Sequence, residues 1–274
     1  MSIETPRDLR EPARSRAEGR AWRVGGQAAA VVTVLAVCAA VLAVLTRPGS
    51  AVRDASVSYP LGAGAIVVTA ASAGTDIVLE PGGAGRVSVA SHLVFAYGSP
   101  PGAGVGWDGH TLRLDLRCAG HTPLRATPCH ARYTVRVPPG TQVAANTATG
   151  DVTASGLAGG LRLASGAGDI TVTGVRGPLW ANTTNGDIAA RALRSPDAEL
   201  TTGAGDVSAS FAAAPTRLVA SSHSGDISLT LPPTTTYRVE AETSTGDRDV
   251  TIPQAPGAAH LVIANTDLGD LDIG

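Results

Sequence analysis

The hydrophobic pattern divides the chain in two. From Val24 to Leu45 there are 22 consecutive uncharged residues, VGGQAAAVVTVLAVCAAVLAVL. A helix of that length reaches roughly 33 Å at about 1.5 Å per residue, enough for a bilayer core of about 30 Å. From residue 56 onward, apolar residues alternate with polar ones in short runs: Ile66 and Val68, Ile77 and Leu79, Val87 and Val89, then Leu112, Leu114 and Leu116. Alternation of this kind predicts strands with one buried face.

Beyond residue 141 the alternation is locked to a repeat. Gly-Asp recurs as Gly150-Asp151, Gly168-Asp169, Gly186-Asp187, Gly205-Asp206, Gly225-Asp226, Gly246-Asp247 and Gly269-Asp270, at intervals of 18, 18, 19, 20, 21 and 23 residues. Three residues before each Gly stands a hydroxyl: Thr147, Ser165, Thr183, Thr202, Ser222, Thr243 and Thr266. Positions five and seven before the Gly are Ala, Leu or Val throughout. Two after come Val152, Ile170, Ile188, Val207, Ile227, Arg248 and Leu271. All these offsets share one parity, so the residues share one strand face. Each unit reads as strand, Gly-Asp turn, strand and a looser turn such as Gly174 to Pro178, with no amphipathic helix. About 18 residues cannot bury their own apolar face, whereas stacked units build a continuous core.

The expected fold is therefore all-β: a β-solenoid-like stack of short Gly-Asp-turn repeats, preceded by one N-terminal transmembrane helix. The boundaries are 1–23 for a disordered tail, 24–45 for the membrane helix and 46–55 for a linker. An irregular β region follows at 56–140, and the repeat solenoid at 141–274. Gly74-Thr75-Asp76-Ile77 reads as a degenerate first turn. Arg248 stands where every other unit has an apolar residue, and Gly-Asp-Arg-Asp-Val suggests a two-residue insertion or a bulge there.

Charge sets the orientation. Six Arg (Arg7, Arg10, Arg14, Arg16, Arg20, Arg23) precede the apolar run, and only Arg47 and Arg53 closely follow it. The positive-inside rule then puts the N-terminus in the cytoplasm and the β region outside, as a single-pass cell-membrane protein. A cleaved signal peptide, cut near Ala51, is the rival reading; its apolar stretch would ordinarily be 7–15 residues. A lipobox at Cys38 is weaker, because Val37 stands where a small residue is needed. The net charge of −2 argues against nucleic-acid binding, which needs a basic stripe.

The repeated polar residues have structural roles open to them. Gly takes positive φ without cost, and Asp can hydrogen-bond its neighbouring turn backbone. The hydroxyl ladder has the inward phase, where it would satisfy buried turn amides of the adjacent unit. The rival for the Asp row is calcium, a hard cation suited to carboxylates. Cys118 and Cys129 lie 11 positions apart outside the membrane, where two Cys form a disulfide by default. Zinc, with His121 and His130, is the rival, but the spacing is irregular. A row of Asp also invites comparison with β-helix polysaccharide-acting enzymes. Against that, the repeats hold only Trp180, Phe211 and Tyr237 as aromatics. No phosphate loop, nucleophile elbow or Ser-His-Asp arrangement stands out, so neither a catalytic residue nor a cofactor is expected.

Val137-Pro138-Pro139-Gly140-Thr141, followed by repeats of Thr-x-x-Gly-Asp-Val/Ile, resembles a bacterial domain-of-unknown-function family of membrane-anchored β-strand-repeat "putative adhesin" proteins. The resemblance runs from about Ser56 to Gly274. It implies a fold and a membrane anchor rather than an activity. The expected function is a membrane-anchored extracytoplasmic scaffold or adhesin-like module, with an unidentified protein, a cell-wall polymer or a second copy as partner. The alternative is a regulatory membrane protein sensing an envelope state, although its short cytoplasmic tail holds no domain.

Overall fold

Burial alternates along the repeats. In Leu161–Ala167, Leu161, Leu163 and Ser165 are buried while Arg162 is exposed, and in Ile170–Thr173 the buried residues are Ile170 and Val172. Strand pairs of this kind recur through the computed structural model, which describes residues 50–62, 64–96, 100–118 and 129–274. All of these lie in one unit, Ser50–Gly274. The expected tail, the membrane helix with Cys38, residues 46–49 of the linker and His121 lie outside the described residues; the rest of the linker, 50–55, is strand, paired antiparallel along 91–96. Among the described residues every regular element is a strand. None is a helix long and apolar enough to cross a membrane.

Seven strands precede the repeats: β1 (Ser50–Pro60), β2 (Ile66–Ala70), β3 (Thr75–Pro81), β4 (Arg86–Ala96), β5 (Gly102–Trp107), β6 (Thr111–Arg117) and β7 (Cys129–Val137). The repeats then supply strand pairs. They are β8/β9 (Val143–Thr149, Val152–Ser155), β10/β11 (Leu161–Ala167, Ile170–Thr173) and β12/β13 (Leu179–Asn185, Ile188–Leu193). Next come β14/β15 (Asp197–Ala204, Val207–Phe211) and β16/β17 (Arg217–Ser224, Ile227–Thr230). The last two are β18/β19 (Tyr237–Thr245, Arg248–Val250) and β20/β21 (His260–Leu268, Leu271–Ile273). Each pair forms one rung, with one strand in each of two sheets. The first sheet has 11 strands in the order β1-β4-β7-β3-β9-β11-β13-β15-β17-β21-β19. The second has 10, in the order β18-β20-β16-β14-β12-β10-β8-β2-β6-β5. Rungs pair in parallel and in register, Leu161 opposite Leu179 and Ile170 opposite Ile188.

Parallel stacking places equivalent residues of successive rungs side by side, so the inward columns form one core running through both sheets. It includes Ile66, Ile77, Tyr133, Leu163, Ile188, Leu200, Ile227 and Leu271, all at most 1% exposed. The residues read as a separate irregular region share this core and both sheets with the repeats. β2 and β3 form a rung stacked on β8/β9, with Ile77 opposite Val152.

The rungs leave chain order at both ends. At one, β2/β3 lies inside β6/β7, which comes later in sequence. At the other, the seventh rung, β20/β21, slides between the fifth and the sixth. The sixth therefore ends the stack, and this corrects the reading of Arg248. β18 pairs with β20 and β19 with β21 residue for residue, with Arg248 opposite Leu271 and no insertion or bulge. Arg248 is tolerated at the apolar offset because no rung lies beyond it and it is exposed. A register shift does occur between Ala190 and Leu193, where Ala192 adopts φ 51°.

Candidate functional site

The Gly-Asp turns form a continuous ladder along one edge of the stack. Each of these Asp carboxylates except that of Asp247 accepts the backbone N–H of the Asp in the adjacent rung, rather than bonding within its own turn. Asp151 Oδ1 accepts from Asp169 at 3.0 Å, Asp169 from Asp187 at 2.9 Å, Asp187 from Asp206 at 2.8 Å and Asp206 from Asp226 at 2.8 Å. The ladder crosses the exchanged rungs without a break: Asp226 accepts from Asp270 at 2.7 Å, and Asp270 from Asp247 at 2.8 Å.

A second ladder runs beneath it. Thr147 donates to the Thr75 carbonyl, Ser165 to Gly150, Thr183 to Gly168, Thr202 to Gly186, Ser222 to Gly205, Thr266 to Gly225 and Thr243 to Gly269. The distances are 2.8–3.2 Å. The expected amide partners are thus replaced by carbonyls. The turn amides are already used, Gly168 N–H on Asn185 O and Gly186 N–H on Ala204 O. What remained was a turn carbonyl needing a donor, and only a hydroxyl side chain at this inward position supplies one. Thr183 and Thr202 are at most 2% exposed. The glycine at each turn is required twice over. Gly186 has φ +146°, and a Cβ there would run into the Gly168 carbonyl of the rung beside it.

The ladder begins one rung earlier than the clear Gly-Asp repeats. Asp76 Oδ1 accepts the Asp151 N–H at 3.1 Å. Its other oxygen meets His130 Nε2 at 2.9 Å and Arg132 Nη2 at 3.5 Å. Asp76 is only 7% exposed, and the Arg132 guanidinium offsets its charge. The sequence signal was present in Thr75-Asp76-Ile77, which keeps the Asp and the apolar residue but has no Gly before the Asp.

Cys118 and Cys129 are joined, with Cα atoms 6.0 Å apart. They close the connection between β6 and β7, the place held by Gly-Asp in the repeats. His130 lies on Asp76 rather than with the cysteines. Among the described residues no group of three or more His, Cys, Asp or Glu is placed to hold a metal ion. Tyr133 and Tyr237 donate to the carbonyls of Asp115 and Pro232. Burial pushes both phenols above their ordinary range, with the nearby Asp115 charge adding to the effect at Tyr133. Backbone N–H bonds from Thr111 and His110 hold the Asp108 carboxyl below its usual value in the β5–β6 turn.

The outer face of the second sheet carries a depression of about 510 Å³, whose lining includes Gly160, Arg162, Pro178, Trp180, Asp197 and Glu199. Sequence reading left Trp180 as an isolated aromatic. Arg162 and Trp180 both stand six residues before their rung's glycine, so alignment of the repeats places them side by side.

Several solved structures share similarity with the chain. A "putative adhesin" from Bacteroides fragilis NCTC 9343 matches at 13% identity and TM-score 0.49, covering 81% of this chain and 97% of that one. A "putative cell adhesion protein" from Clostridium sporogenes ATCC 15579 matches at 9% identity and TM-score 0.35, covering 83% and 99%. A "putative lipid binding protein" from Parabacteroides distasonis ATCC 8503 matches at 9% identity and TM-score 0.29, covering 80% and 96%. No curated protein matches the chain. The family model for Toastrack DUF4097 matches residues 131–263. This region, just under half of the chain, takes in most of β7 and the rungs from β8 to β19, and its similarity is to the Toastrack DUF4097 domain, a domain of unknown function.

Proposed function

We propose that the chain is a single-pass, membrane-anchored protein whose extracytoplasmic β-solenoid serves as a scaffold and adhesin-like interaction module without catalysis. The observation that carries this reading is the state of its repeated polar groups. The carboxylates of Asp76 and of six repeat Asp accept rung-to-rung amides, and all seven repeat hydroxyls donate to turn carbonyls. Groups so occupied hold the stack and are not poised for proton transfer. The first sheet turns Thr153, Thr171, Ala189, Ser208 and Ser228 outward in a row, a face of hydroxyls broken once by Ala and suited to presentation. The anchor rests on the 22-residue uncharged run and its flanking Arg.

Two measurements test the reading. Protease added to intact protoplasts should remove the β region and leave the tail; protection of the β region would overturn the topology. Thermal melts with calcium and with chelator should superimpose. A melting point raised by many degrees with calcium would overturn the scaffold role of the Asp row, since a filled site stabilises by several kcal/mol.

A further inference from the structure

One row of side chains crosses the outer face of the second sheet at Ala144, Arg162, Trp180 and Glu199 on β8, β10, β12 and β14. The Arg162 guanidinium lies 3.8 Å from the centroid of the Trp180 ring. This is a cation–π stack, which fixes the fork in one plane and leaves its N–H edge free for bidentate bonding. Asp197 and Glu199 border the same depression, but their partner is Arg217, at 3.4 and 4.0 Å. Among the described residues Arg162 has no carboxylate within ion-pair distance. It is the one cation among the lining residues. Beside it, a Cβ added to Gly160 would meet nothing nearer than 3.9 Å, so the absence of a side chain keeps the depression open.

We propose that this groove binds a carboxylate-bearing sugar of an acidic surface polysaccharide. Arg162 grips the carboxylate, Trp180 holds Arg162 in place and adds an apolar wall, and Gln142 meets ring hydroxyls from the rim. At its own end of the groove, two strands from Glu199, Arg162 favours an anion. The fold selects a sugar over a peptide: β10 and β12 are interior strands paired on both sides, so no strand edge is available for an extended peptide to join. This inference rests on the proposed interaction role and names its ligand class.

The test is calorimetric titration of the full-length protein with oligogalacturonate and hyaluronate. The controls are a neutral oligosaccharide of equal length and poly-glutamate of equal charge. At least one uronate should bind, and both controls should fail. Arg162→Gln should weaken that binding at least tenfold with an unchanged melting point. Gly160→Val, which fills the depression and keeps the fork, should do the same. Absence of uronate binding, equal binding of either control, or full affinity in Arg162→Gln would overturn the proposal. Attachment of the protein to isolated envelope material, compared between wild type and Arg162→Gln, separates the two ideas. Equal attachment by both sinks the groove and spares the interaction module, whereas no attachment by either counts against both.

Discussion

The two ends of the stack terminate the same parallel architecture by different means. At the N-terminal end the outer rung, β6/β7, is as apolar as those inside: Leu112, Leu114, Ala131, Tyr133 and Val135 are at most 1% exposed. It can be so because β4, β1 and β5 run antiparallel beyond it and extend the core with Val87, Val89, Leu93 and Phe95. Tyr59 and Trp107 then stack at 5.9 Å and close the end. At the C-terminal end no strand among the described residues pairs beyond β18/β19; only the segment around Gln254 meets the start of β18, at Tyr237. Val239, Ala241 and Val250 are only partly buried, and Arg238, Glu240, Glu242, Arg248 and Asp249 are exposed. Charge along an open edge discourages another chain from pairing there. The Gly-Asp motif is common to the sixth and seventh rungs, so it makes a rung without deciding where the rung sits. Apolar content decides that. The seventh rung offers Val262, Ala264, Leu271 and Ile273 and is buried, while the sixth offers Arg248 and lies outside.

The largest contrast should appear on truncating one apolar residue in each of these rungs. Leu271→Ala removes a fully buried side chain and should cost about 2–5 kcal/mol in urea unfolding. Val250→Ala, half-covered, should cost under about 1 kcal/mol; equal losses would erase the distinction between inner and outer rung. At the N-terminal end, reduction of Cys118–Cys129 should lower stability by about 3 kcal/mol on the chain-entropy model, read as a fall in melting temperature with reductant. Thr202→Val strands the buried Gly186 carbonyl and should cost ~1–3 kcal/mol. Thr243→Val at the open end should cost less, because water can reach the Gly269 carbonyl there. Smallest is the carboxylate pair. Asp206→Ala loses the bond from Asp226 and should cost ~1 kcal/mol, whereas the Asp247 carboxylate accepts no ladder bond and its replacement by Ala should leave the melt unchanged.

Much of this was legible in the sequence because strand parity and a fixed turn leave marks at even offsets. Ile170, Ile188, Val207 and Ile227 could be aligned before any coordinates, and they occupy one buried column. The hydroxyls were legible as inward, but their acceptors were not. Whether an amide or a carbonyl is left over depends on which groups the adjacent rung has already paired. Rung order was hidden for a different reason. Two rungs with the same motif satisfy either order locally, and only burial summed over a whole rung separates them. Arg248 carried that signal and reads as an irregularity until the end of the stack is located. The Arg162–Trp180 contact was recoverable from the alignment, since residues at one offset become neighbours in parallel register.

The order of the last rungs tests the account most directly. Ser228 pairs with Asp272, and Asp272 with Asp249, on the outer face of the first sheet. Neighbouring strands lie about 4.8 Å apart, and strands two places apart about 9.6 Å. In full-length protein carrying Cys38→Ser, the pair Ser228→Cys/Asp272→Cys should be joined by a short thiol crosslinker, while Ser228→Cys/Asp249→Cys should not. Efficient joining of residues 228 and 249, with none between 228 and 272, would place the sixth rung directly on the fifth and contradict the claim that apolar content sets the order.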